Sequence, residues 1–308
     1  MSVSQQELLQ PIERSIPSSS SMLQTMQAYI ALTKPRILVM LVFTSLCAAF
    51  VAQRGLPNIG KTLAMLIGLW LSSGGSAAIN MWYDRDIDAM MKRTKNRPIP
   101  LGLVEPLPAF WFGILLGVLS FIELYAFVNL LTACLSLLGY IYYAVIYTMW
   151  LKRSTPQNIV IGGGAGAMPA LIGWSAVTGQ LSIAPILMFL IVFLWTPPHF
   201  WALALYKNED YTRAGIPMMP VVKGPRATKR QSVMYAVLLL LCSVALYFTG
   251  AVGAIYLIAA LALGIAFLVY NVFLFFENDD EFVWAKRTFF SSLMYLPVLF
   301  TFMVLGAF

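Results

Sequence analysis

Apolar residues gather into nine long stretches, at about residues 37–53, 62–83, 107–126, 129–150, 157–177, 182–205, 231–250, 252–276 and 288–307. Each is close to the ~20 residues that carry an α-helix across a hydrocarbon core about 30 Å thick. None has the short alternating segments of a membrane barrel, and a helix satisfies its own backbone in lipid. The pattern therefore predicts an all-α polytopic membrane protein with nine transmembrane helices. The third and fourth stretches are joined by a very short turn and form an antiparallel pair. Residues 1–28 are polar and Ser-rich, with no apolar signal core, and are expected to be a disordered tail ahead of one membrane domain, 29–308.

Composition agrees: 60% of residues are hydrophobic, 11% are charged and mean hydropathy is +0.79. The net charge of +7 does not indicate nucleic acid, because 18 of the 20 Lys and Arg residues fall on one side of the nine spans. By the positive-inside rule that side is cytoplasmic and holds the N-terminus and both large polar loops, with the C-terminus outside. The setting expected is a bacterial cytoplasmic (inner) membrane, or the mitochondrial inner membrane in a eukaryote. Cys47, Cys134 and Cys242 stand singly inside apolar runs, which argues against disulfides, zinc or an iron–sulfur cluster.

The densest chemistry is Asn80 to Pro100, NMWYDRDIDAMMKRTKNRPIP, directly after the second span. Such a loop can be an ordinary solvated connection, but its spacing is particular. On a continuing helix Asn80, Asp84 and Asp88 recur every four residues and share a face, while Asp86 points elsewhere. A column of oxygen ligands suits a hard divalent cation such as Mg²⁺, which needs only one or two carboxylates when a substrate phosphate completes its shell. The cations that follow, Lys92, Arg93, Lys95 and Arg97, can hold the remaining phosphate charge.

A second polar loop, Tyr206 to Arg230, lies on the same side. On a continuous helix His199, Tyr206 and Asp210 form one stripe, seven and then four residues apart. Asp210 is a metal or diphosphate ligand facing the first column. Tyr206 and Lys207 can supply a neutral hydrogen bond and a positive charge. His199 is the single histidine and follows Pro197 and Pro198, which are expected to kink the sixth span or open its hydrogen-bond ladder. It reads either as a structural hydrogen-bonding group or as a contact to a polar or metal-bearing substrate. The Gly162–Ala167 run lacks a following Gly-Lys-Ser/Thr and a preceding strand, so it reads as close helix packing, not a phosphate loop.

At these residues the chain resembles the UbiA superfamily of intramembrane prenyltransferases, over about residues 30–308. Three blocks carry the resemblance: Asn80 to Pro100, Asn158 to Trp174, and Trp195 to Pro220 (WTPPHFWALALYKNEDYTRAGIPMMP). The last two point to its haem-prenylating branch. Met81 stands where the wider superfamily often has an aspartate, and Tyr206 replaces the first of a second aspartate pair.

The resemblance implies nine helices around a central cavity, and transfer of farnesyl from farnesyl diphosphate to haem b, with Mg²⁺ required. It assigns Asp84, Asp88 and Asp210 to the metal, Asn80 and Tyr206 to supporting hydrogen bonds, and Lys92, Arg93, Arg97 and Lys207 to the diphosphate. It makes His199 a contact to haem iron or a propionate. It leaves open any contact with a haem A synthase or a terminal oxidase. A secondary transporter would place charges near mid-span and usually show an internal repeat, and this chain shows neither.

Overall fold

Several spans are started by their own sequence. Asn58 accepts the Lys61 N–H at 3.0 Å and Asn129 the Thr132 N–H at 2.8 Å, each capping a helix N-terminus. Proline stands in the first turn of three others, where its missing N–H costs nothing. A computed structural model of the chain describes residues 22–308. Nine helices long and apolar enough to cross a membrane occur among the described residues. They are α2 (Pro35–Gln53), α3 (Ile59–Tyr83), α5 (Pro106–Phe127), α6 (Leu130–Ile141) with its continuation, α7 (Asn158–Thr178), α8 (Ile183–Tyr206), α10 (Met219–Tyr247), α11 (Ala254–Phe276) and α12 (Val283–Ala307). Three short helices complete the order: α1 (Met22–Leu32), α4 (Arg85–Met90) and α9 (Asn208–Arg213). The described residues contain no strand.

Four expectations are corrected. Of the expected tail, residues 1–21 lie outside the described residues, but residues 22–28 begin α1. Its apolar face supplies the reason: Ala28 and Leu32 are buried with Ala78, Met81 and Ile99, and Tyr29 meets Phe112 edge-on at 5.0 Å. The seventh span does not begin near 231: a short helical stretch from Met219 ends in a kink at Gly224, whose φ of 81° suits a residue without a side chain, and the basic segment 225–230 is already helical and runs into the span. The ninth starts at Val283, not near 288, capped by the Glu277 carboxylate, which accepts the Trp284 N–H at 2.6 Å and the Ala285 N–H at 3.3 Å. The fourth span does not stay α-helical, since Tyr142–Leu151 is a π-helix. In α8 the helix runs through Pro197 and Pro198, and the two missing N–H groups leave carbonyls one turn earlier without their usual donors, the opened ladder expected there.

Small residues set the helix spacing. A Cβ on Gly75 would lie 2.7 Å from the Gly113 carbonyl oxygen, and one on Gly113 would lie 2.9 Å from that of Gly75, so α3 and α5 touch backbone to backbone. Gly162 gives way to the Tyr147 ring and Gly163 to Thr196, the close packing read from the glycine run. Gly75→Ala should therefore cost about 1–3 kcal/mol by overpacking. Gly166→Ala, where a Cβ meets nothing within 4 Å, should be tolerated. Thermal unfolding of the two variants in detergent checks this, and equal midpoints would contradict it.

Candidate active site

At Asp84 the backbone leaves α3 (φ −86°, ψ 7°) and re-enters helix as α4. The ladder nevertheless survives, because Asp84 N–H donates to the Asn80 carbonyl at 3.0 Å and Asp88 N–H to the Asp84 carbonyl at 2.8 Å. The column predicted from spacing thus exists, and its Asp84 and Asp88 side chains are 0% and 1% exposed. Two carboxylates sealed at the end of an apolar bundle demand partners, since an unpaired buried charge costs several kcal/mol. Lys152 pairs with Asp84 Oδ2 and Arg97 Nη1 with Asp88 Oδ2 at 2.6 Å. Asn80 sits at the inner end of the column. Its Nδ2 donates to Asp84 Oδ2 at 2.8 Å and Thr148 Oγ1 at 3.1 Å, and its Oδ1 accepts from Lys34 Nζ at 2.6 Å.

Asp86 lies off the column and exposed, as its spacing predicts. Arg153 grips both of its oxygens at 2.7 Å and reaches Asp84 Oδ1 at 3.4 Å. That hydrogen bonding holds the Asp86 carboxyl down at about 2.

The π-helix forms the facing wall. Its wider turn lets the Thr148 hydroxyl donate to the Tyr143 carbonyl at 2.7 Å and carries Lys152 N–H to the Tyr147 carbonyl at 2.8 Å. Tyr143, Thr148 and Lys152 thereby share one face towards the column, and the Tyr143 hydroxyl also accepts from Lys34 at 3.2 Å. Lys34 is held in the left-handed region (φ 54°, ψ 58°) between α1 and α2, a strained backbone for a residue with a side chain. Burial, followed by the nearby Arg97 and Lys152 charges, pushes its ammonium well below the ordinary lysine range. Arg97, Lys152 and Arg153 match Asp88, Asp84 and Asp86 charge for charge, and Lys34 adds a buried amine beside them whose charged form is disfavoured.

The second polar loop caps this site through apolar contact. Tyr211, Ala214, Ile216 and Met218 cluster with Ile87 of α4 and with Met91 just after it. The expected stripe is broken, because Lys207 (φ −113°, ψ 19°) ends α8 and α9 starts afresh. Asp210 is paired with Arg213 at 3.8 Å, and among the described residues no three His, Cys, Asp or Glu side chains form a metal cluster. Tyr206 packs edge-on to Phe289 at 6.1 Å, and Lys207 lies 5.6 Å from the Tyr206 ring. Lys92 and Arg93 are exposed at the loop surface, whereas Arg97 is already engaged by Asp88.

His199 is buried between two rings, Trp195 at 4.2 Å and Phe289 at 4.9 Å. The Ser292 hydroxyl lies 2.6 Å from His199 Nδ1 and 2.5 Å from the Phe289 carbonyl, so it ties the ring to α12.

Lys34, Lys152, Arg153, Tyr143 and Thr148 were not singled out from sequence. The one signal was that Lys34, Lys152 and Arg153 share the basic membrane side with the aspartates.

Among the described residues, then, a bundle of nine membrane-length helices ends in buried aspartates, each paired with a cation, where α3 breaks into α4. Residues 41–293 match the UbiA prenyltransferase family, and the chain belongs to that family. A protoheme IX farnesyltransferase of Symbiobacterium thermophilum is 54% identical over 92% of this chain and 94% of its own length. One from Bartonella tribocorum is 47% identical over 93% and 91%. Among solved structures, a digeranylgeranylglyceryl phosphate synthase aligns with a TM-score of 0.78 at 18% identity, covering 92% of this chain and 99% of its own. A UbiA homologue from Archaeoglobus fulgidus bound to DMAPP and Mg²⁺ aligns at 0.64 and 17% identity, covering 89% and 98%.

The two aspartates outside and inside the column should respond differently to substitution. Asp86 binds its proton less readily when folded, so its pair with Arg153 stabilises fully above the ordinary value of 3.8 and is lost as pH falls towards about 2. Asp86→Asn should change stability by less than about 1 kcal/mol near neutral pH, as for exposed pairs. Lys152→Met, which strips a buried carboxylate of its partner, should cost about 3 kcal/mol. Chemical or thermal unfolding in detergent at pH 7 separates the two, and similar losses would contradict this assignment.

Proposed function

We propose that this chain transfers the farnesyl group of farnesyl diphosphate to a vinyl group of haem b, giving haem O and pyrophosphate. The observation that carries the metal–diphosphate part is the buried Asp84–Asp88 column, each carboxylate held by a fixed cation. The acceptor rests on the high identity to protoheme IX farnesyltransferases along nearly the whole chain.

The donor set fits Mg²⁺: hard carboxylate oxygens aligned one turn apart, each now neutralised by a cation of the chain. Asp84 and Asp88 would hold the metal, with Asp210 as a third carboxylate from the opposite loop. When bound, the metal would neutralise charge on the departing diphosphate. Lys152 and Arg97 are placed to trade a carboxylate partner for a diphosphate oxygen. Arg93, Lys92 and Lys207 add positive charge, and Lys34, Asn80 and Tyr206 add hydrogen-bonding support. As the allylic C–O bond breaks, its electron pair leaves with pyrophosphate, and these cations stabilise the charge that develops.

The allylic cation is then attacked by the vinyl π electrons, which form the new C–C bond. Water captures the resulting porphyrin-stabilised cation and loses a proton, leaving the hydroxyl. Apolar helix walls keep water from the allylic cation before that attack. His199, buried and tied by Nδ1 to Ser292, is placed to present its other ring nitrogen to haem, either to the iron or to a propionate. We further infer that the N-terminus and both polar loops are cytoplasmic and the C-terminus lies outside, in a bacterial inner membrane.

Incubating the purified protein with haem b, farnesyl diphosphate and Mg²⁺ should yield a hydroxyethylfarnesyl haem by mass, and EDTA should abolish it. Asp84→Ala, Asp88→Ala and Asp210→Ala should each reduce turnover at least about a hundredfold without loss of folded protein. Arg93→Glu should raise KM for farnesyl diphosphate more than for haem. Prenylation of quinone or phenolic acceptors with haem untouched would overturn the acceptor and leave the metal–diphosphate site standing.

A further inference from the structure

On the outer surface of the bundle, away from the aspartate column, α11 and α12 part to leave a groove of about 550 Å³. It opens on the membrane side where α11 ends and α12 begins, the side that also carries α4 and α9. Its walls are apolar: Val269 and Phe273 from α11, Phe290 from α12, and Trp284 stacked on Phe273 at 4.5 Å. At 1.5 Å rise per residue, Val269 lies about 10 Å below the end of α11, so the groove reaches well into the hydrocarbon layer.

Its rim is cationic. Lys286 and Arg287 stand in the first two turns of α12, both exposed. Among the described residues neither makes a salt bridge, and neither side chain donates a hydrogen bond to the protein. Arg287 lies 4.8 Å from the Trp284 ring, which orients the guanidinium and leaves its N–H donors free. The carboxylates nearest in sequence are engaged elsewhere. Glu277 caps α12, Asp279 binds Lys229 at 2.8 Å, and Glu281 accepts from Asn278 at 3.3 Å, while Asp280 stays in the aqueous link.

An apolar slot along the lipid face, with an interfacial tryptophan and two unpaired cations at its mouth, is complementary to one kind of molecule in a bilayer. We propose that the α11–α12 groove binds a glycerophospholipid, its phosphodiester on Lys286 and Arg287 and the upper part of an acyl chain against Val269, Phe273 and Phe290. Basic pockets between transmembrane helices recognise lipid phosphates in this way, and a head group without a second positive charge gains most. The opposite face of α12 bears Phe289 and Ser292, which hold His199, so the lipid would also brace the helix that positions that residue.

The test is native mass spectrometry of the full-length protein, delipidated in detergent and offered phosphatidylglycerol or diacylglycerol with the same chains. Wild type should retain one phosphatidylglycerol and little diacylglycerol. The double variant Lys286→Ala/Arg287→Ala should retain it about tenfold less well. A phosphatidylglycerol with a photoreactive acyl chain should crosslink wild type at peptides of α11 and α12, which keeps the proposal testable should the double variant fold poorly. Unchanged retention by the folded double variant, equal retention of diacylglycerol, or crosslinks confined to other helices would overturn the proposal. So would displacement of the lipid by stoichiometric haem b, which would make the groove an acceptor site instead.

Discussion

Two carboxylates cannot be sealed at the end of an apolar bundle without company, and the architecture around Asp84 and Asp88 follows from that constraint. Burial in a poorly polarisable surrounding makes each unpaired charge expensive, so cations converge on them from three separate segments of the chain. Lys34 arrives from the α1–α2 junction, Arg97 from the loop after α4, and Lys152 and Arg153 from the end of the fourth span. Helix α1, the π-helical turn and the break at Asp84 each serve to bring one of these groups into reach. The strained backbone at Lys34 is held by the same convergence.

This arrangement accounts for how one site can serve both an apolar chain and a highly charged leaving group. The bundle supplies a dry interior, while its end supplies fixed charge that needs no reorganisation when bond breaking begins. Buried ion pairs contribute little net stability by themselves, so their retention in a protein that is 11% charged points to chemistry.

The spans were legible because hydrophobicity and length alone decide what crosses a bilayer, and the Asn80–Asp84–Asp88 column was legible because four-residue spacing is a local property of a helix. What was not legible is non-local. Nothing in a one-dimensional reading puts Lys152 on Asp84, 68 residues away, or Lys34 on Asn80, 46 residues away. The basic start of α10 hid its helix, since charge lowers hydropathy without opposing helix formation. The stripe from His199 to Asp210 failed for a local reason: α8 ends at Tyr206, one turn short of joining its two halves. The π-helix leaves no mark in composition, and it changes which residues of the fourth span face the column.

The most direct measurement is titration of a non-reactive thiol analogue of farnesyl diphosphate into the protein, with and without Mg²⁺, alongside the double variant Asp84→Asn/Asp88→Asn. If the column is the metal–diphosphate site, wild-type affinity will rise steeply with Mg²⁺ and the variant will lose that dependence while staying folded. Equal affinity with and without Mg²⁺, or an unaltered metal dependence in the variant, would contradict the account.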